Sequence, residues 1–321
     1  MALGRRLRLA RCALAAPGLA MCLAICLGLA ATASHAGTLR YCDAPTPLSA
    51  VQQDRLLRVA GLVKSELERS GSRAALVARS GLNLRLFDMR YSHAGISLQA
   101  SSESRWAVRQ LYFSCDEQQP RLFDQGLSAF LLGTEDPALG YVSVLTLPAA
   151  AASSLEQVAL DNRQALSLLS AHYSANAYIY SLRLQNCNQW LAELLGLAWG
   201  AGATTPSAAP PAASARADAQ AWLRTQRYEG AHFSVGWRPL LSLSAFSPWL
   251  HHDDHPEEEL AQARFVVSMP ESIERFVRAQ VSGAERVEFC HTEHHVVMRR
   301  GWVPIADGCV PAEGDTVVAL D

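Results

Sequence analysis

The sequence predicts an α+β fold, an antiparallel sheet packed against helices. Two observations predict it. Short β-like stretches follow one another through residues 74–147, broken by Gly, Ser, Asp and Pro, and strongly periodic helical segments stand before and after them. The strands number four to six in this reading, with helices on one side. A formal net charge of −2 and no dominant basic patch give no electrostatic reason to expect nucleic acid as a partner.

The first element is a leader. Arg5, Arg6, Arg8 and Arg11 form a basic start, an Ala/Leu-rich run follows, and Ser34-His35-Ala36 puts small residues at cleavage positions. Residues 1–36 therefore read as a secretory signal, with a periplasmic or secreted chain after cleavage near Ala36. An uncleaved anchor over Cys12–Thr32 is the alternative. Of the eight cysteines, Cys12, Cys22 and Cys26 fall in the leader, leaving Cys42, Cys115, Cys187, Cys290 and Cys309. In an oxidising compartment an odd count leaves at least one thiol outside the disulfides. Cys290 and Cys309 flank a hairpin-like segment and Cys42 and Cys115 lie in the N-terminal half. That pairing leaves Cys187 over.

A helix is predicted over Ala50–Arg69, because Ser49 and Gln52 fit a capping box and Leu56, Val59, Val63 and Leu67 recur at helical spacing. Strands are expected at Ala74–Ala78, Tyr91–Gln99, Trp106–Ser114, Leu127–Leu132 and Tyr141–Leu147. Helical sequence returns at Leu155–Ser170 and again at Cys187–Trp199, with Gly200 just beyond its end. Residues 201–217 are rich in Ala, Pro, Ser and Thr and read as a flexible insertion. A helix capped around Ser268-Met269-Pro270-Glu271 and strands near Arg286–Arg300 and Thr316–Leu320 complete the chain.

Two segments carry chemistry: Ser92-His93-Ala94-Gly95-Ile96 and Asn186-Cys187-Asn188-Gln189-Trp190. A thiol at a helix start meets the positive end of the helix dipole and unpaired backbone N–H groups, which favour thiolate. A histidine on a strand supplies the base that acyl transfer needs. The plainer reading of the same residues is a sheet histidine and a small core thiol.

The order of these motifs, a strand-borne His-x-Gly-Ile before an Asn-Cys-Asn opening a helix, resembles the circularly permuted branch of the papain-like superfamily. That branch holds NlpC-type peptidases and lecithin:retinol acyltransferase-like proteins. More closely, the segments around His93 and Cys187 resemble an exported bacterial family of unknown function. The resemblance covers about residues 74–200 and implies a permuted papain-like core over 37–200. It makes Cys187 the nucleophile and His93 the general base. The third, orienting residue falls on the next strand, where Gln110 or Tyr112 comes near His93. The backbone N–H of Cys187 is the expected oxyanion donor, with Tyr180 or Gln185 as side-chain help.

Other clusters are weaker. His251, His252, Asp253, Asp254 and His255 lack a rigid ligand spacing and read as a solvated turn, and strand alternation splits His291 and His295 from His294. No metal or cofactor is expected. Residues 218–321 form an extension that completes or covers the core. The expectation is a thiol hydrolase or acyltransferase acting on an amide or ester in a peptide, peptidoglycan stem peptide or lipid substrate. The alternative is a non-catalytic envelope binding or assembly protein with an envelope protein partner.

Overall fold

The structure is a computed structural model that describes residues 47–200, 212–235 and 249–320. The leader, Cys42 and the start of the expected insertion lie outside the described residues. Helix α1 (Ala50–Arg69) begins as its sequence dictates: Ser49 Oγ accepts from Gln52 N, and Gln52 Oε1 accepts in return from Ser49 N.

Among the described residues the sheet has eight strands, all neighbours antiparallel, in the order β12-β11-β10-β5-β1-β2-β3-β4. These are β1 (Ala74–Arg79), β2 (His93–Leu98), β3 (Ala107–Ser114), β4 (Gln119–Gln125), β5 (Gly140–Thr146), β10 (Glu285–His291), β11 (His295–Arg300) and β12 (Thr316–Ala319). The C-terminal strands thus complete the sheet, with β10 paired to β5 along its whole length.

Both sheet faces are covered, which corrects the one-sided expectation. Ala74, Leu76 and Ala78 of β1 join one core and Ala75 and Val77 the other. On the second face pack α1 and the short α2 (Leu127–Leu131); on the first pack α3 (Ala149–Leu160) and α5 (Cys187–Trp199), which presents Trp190, Leu191, Leu194 and Leu195. The segment Leu127–Leu132 is helical, not a strand. Leu127, Phe130 and Leu131 stand at helical spacing and are all buried. The strand beyond β3 is β4, whose polar sequence hid it; it is the outermost strand and only Pro120 is fully buried.

The helical stretch expected at Leu155–Ser170 is two helices, α3 and α4 (Asn162–Ser167). Asp161 ends one and caps the other by accepting from Arg163 N and Gln164 N. Residues 212–217 are not part of a loose insertion but open α6 (Ala212–Thr225), in which Arg216 is buried against Glu193 of α5. A small layer beside α5 holds the two-residue strands β6 (His172–Tyr173) and β7 (Leu184–Gln185), then β8 (Ala231–Ser234), α7 (Glu257–Gln262) and β9 (Arg264–Val267). Helix α8 (Pro270–Gln280) has Met269 as its N-cap with no side-chain cap, so the Ser268 capping box does not form; Pro270 fills the first turn instead.

Cys290 and Cys309 are disulfide-bonded, and Cys115 is also in a disulfide. Among the described residues no helix is long and apolar enough to cross a membrane.

Candidate active site

Asn186 fixes the start of α5. Its side-chain oxygen accepts from Gln189 N at 2.6 Å, and its amide donates to Ser268 O at 3.2 Å, tying the helix start to the chain before α8. Cys187 follows as the first helical residue, half-buried and outside the disulfides. Asn188 comes next and is fully buried. Its Oδ1 accepts from Ala94 N at 3.0 Å and its Nδ2 donates to Ser92 O at 3.3 Å. The side chain therefore occupies the place of a strand partner for β2. It can do so because β2 and β3 are laddered only over Ile96–Leu98 and Ala107–Arg109 and part toward His93.

Below the α5 helix, Glu193 is buried and accepts from Gln185, Gln189, Arg216 and Gln220. This network pins the Cys187 helix from the side away from the sheet. It also accounts for Gln185, which is wholly engaged with Leu168 O, Ser170 N and Glu193. Tyr180 donates to Tyr228 O at 2.7 Å. Neither reaches the cavity at Cys187, so both drop out as oxyanion donors.

His93 is buried at the start of β2. Its Nε2 lies 2.7 Å from Gln110 Oε1, its ring stacks on Tyr112 at 4.3 Å between centroids, and Phe130 lies beyond. Gln110 donates its own amide to Gln125 Oε1 at 2.6 Å. That bond turns Oε1 toward His93, so Nε2 carries the proton and Nδ1 the lone pair. Arg79, donating to Tyr112 Oη at 2.5 Å, adds positive charge nearby. Burial and then Arg79 lower the pKa of His93 to about 3, the Gln110 bond opposing them, and the ring is neutral at pH 7.

Strand alternation sets His93, with Arg79 and Val77, on the face of α1 and α2, whereas α5 packs on the opposite face. Asn188 joins the two sequence motifs at the end of β2, where its ladder with β3 stops. There Cys187 and His93 line one cavity of about 330 Å³. Its walls are mostly apolar, with Phe87, Phe113, Phe233, Trp249, Phe265 and Met269, and Tyr173 contributes while Tyr178 and Tyr180 do not. The polar groups gather at Ser92, His93, Asn186 and Asn188, with Asn176 and His252 on another side. Gln110 stands behind His93 rather than in the cavity wall.

Sequence reasoning missed His252. Its Nδ1 lies 2.7 Å from Asn176 Nδ2, its ring stacks on Phe265 at 4.9 Å, and burial followed by the neighbouring His255 lowers its pKa. The turn around it is not simply solvated: His255 and Asp254 are buried, His255 bonding Glu259 and Asn176 O, and Asp254 accepting from Tyr178 N. Among the described residues no group of three or more His, Cys, Asp or Glu side chains is arranged to hold a metal ion.

Fold and cavity together define an α+β protein with a cysteine and two histidines around one apolar pocket. The chain belongs to the bacterial DUF2145 family, described as an uncharacterized protein conserved in bacteria, which matches residues 66–277. No curated protein and no solved structure matches it.

Proposed function

We propose that the protein is a thiol hydrolase or acyltransferase, with Cys187 as nucleophile and His93 as base, acting on an amide or ester of an apolar acyl group. The observation that carries this reading is that Cys187 opens a helix into the same apolar cavity that His93 lines, while Gln110 holds Nε2 of His93 and leaves Nδ1 as acceptor. The permuted papain-like resemblance supports the same roles by analogy alone.

In this mechanism the Cys187 thiol passes its proton to His93 Nδ1 and the sulfur attacks the acyl carbon. The Cys187 N–H at the helix start faces the developing oxyanion. His93 then protonates the leaving amine or alcohol, and water or a second acceptor takes the acyl group from sulfur. The cavity walls favour a lipid-like acyl chain over a charged stem peptide.

A second reading of the base rests on one observation. His252 lines the same cavity among residues that adjoin the start of α5, whereas the His93 ring belongs to the other face of the sheet. Alkylation of Cys187 by iodoacetamide separates the two. His93→Ala should slow labelling near neutral pH by ~10²-fold or more, in the range of a lost general base, and His252→Ala should leave it nearly unchanged. The reverse pattern transfers the base to His252. Equal, sluggish labelling of wild type and both variants would identify a non-catalytic envelope module instead.

A further inference from the structure

A second cavity, of about 600 Å³, opens between α8, β10 and residues 80–91. Its floor is charged. Arg286 of β10 is only 5% exposed; its Nε donates to Glu274 at 3.0 Å and its Nη2 to Tyr91 Oη at 3.1 Å. Glu288 is spoken for by Arg90 at 2.8 Å, by Ile305 N at 2.6 Å, by Tyr91 Oη and by Arg286 Nη2 at 3.2 Å. Glu271, in the first turn of α8, uses Oε1 to accept from Arg90 N and Tyr91 N.

Two floor atoms are left over. Arg286 Nη1 and Glu271 Oε2 are buried and have no hydrogen-bond partner. One is a cationic donor and the other an anionic acceptor, and both residues line the same cleft. Leaving such atoms unmet is costly, and an apolar ligand would worsen it. A metal ion is a poor match, because the donor set includes arginines and no metal-type cluster forms among the described residues. A ligand with one anionic and one cationic group satisfies both atoms at once. Burial also raises the pKa of Glu271, which a cationic ligand group would reverse. At the rim, Arg278 lies over Trp302 at 5.0 Å and Arg275 is exposed, giving a polar edge around an aromatic wall.

We propose that this cleft binds the zwitterionic main-chain groups of a free amino acid or short peptide, the carboxylate at Arg286 and the ammonium at Glu271. The site is separate from the thiol chemistry and stands without it. Its test is calorimetric titration of the full chain with L-alanyl-L-alanine, its N-acetyl form and its C-amide. Saturable binding of the zwitterion is expected, with loss of about tenfold or more in affinity on removing either charge. Glu271→Gln keeps the Oε1 acceptor that Arg90 N and Tyr91 N require, so the fold is retained. This variant should bind the free and N-acetylated peptides alike. Cys187→Ser should leave every affinity unchanged. Absence of saturable binding by wild type, a full preference for the free amine in Glu271→Gln, or loss of binding in Cys187→Ser would each overturn the assignment.

Discussion

At the scale of the residue, His93 and Asn188 set the character of the cavity mouth. His93 is neutral when folded down to about pH 3, whereas an unfolded chain protonates it near 6.5. Its folded pKa is lowered, so the unfolded state holds more protons between those values, and stability falls as pH drops from about 6.5 toward 3. Urea unfolding of wild type and His93→Gln from pH 7 to 4 should show a steeper acid loss in wild type, by up to a few kcal/mol. Parallel curves would mean that the ring is hydrated. Asn188→Ala strands Ala94 N and Ser92 O away from water and should cost roughly 1–3 kcal/mol in denaturant unfolding. The motif around Cys187 was legible as a helix start, but the bridging task of Asn188 was not. It depends on two strands parting, which one-dimensional periodicity does not record.

At the scale of the element, α5 is held more firmly than an amphipathic helix needs. Glu193 gathers four donors under it, including the Arg216 guanidinium from α6. Glu193→Ala leaves a buried, unpaired arginine and should destabilise by roughly 3–5 kcal/mol. The thermal midpoint measures it, and loss of iodoacetamide selectivity at Cys187 should accompany it. The bounds of α1 and α5 could be read from Ser49, Gln52, Gly200 and the spacing of their leucines, because caps and periodicity are local. The short helix at Leu127–Leu131 and the polar strand β4 could not be read so directly. A short, mostly apolar segment fits either period, and an outermost strand loses the alternation that marks a half-buried one. His252 stayed hidden for a different reason, since its place in the cavity comes from a loop folded against β9, far from the motif it joins.

At the scale of the whole molecule, the α+β class and the antiparallel sheet were legible, while sheet size and two-sided cover were not. Strand order depends on pairings between residues far apart in sequence, and the C-terminal strands read as an appendage until their register against β5 is seen. The disulfide Cys290–Cys309 closes a segment with a sequence separation of 19. Replacing both cysteines by serine should cost about 3 kcal/mol by chain entropy, seen as a lower denaturant midpoint.

The pairing of β5 with β10 has one more consequence, for the order of events in folding. β5 ends at Thr146, and the strand that lies beside it does not begin until Glu285. The middle of the sheet therefore closes by one of the longest loops in the chain, and it closes late and slowly. A fragment stopped at residue 277, where the family match ends, would present β5 as a raw apolar edge and should aggregate. Until β10 is made, the chain carries that open edge.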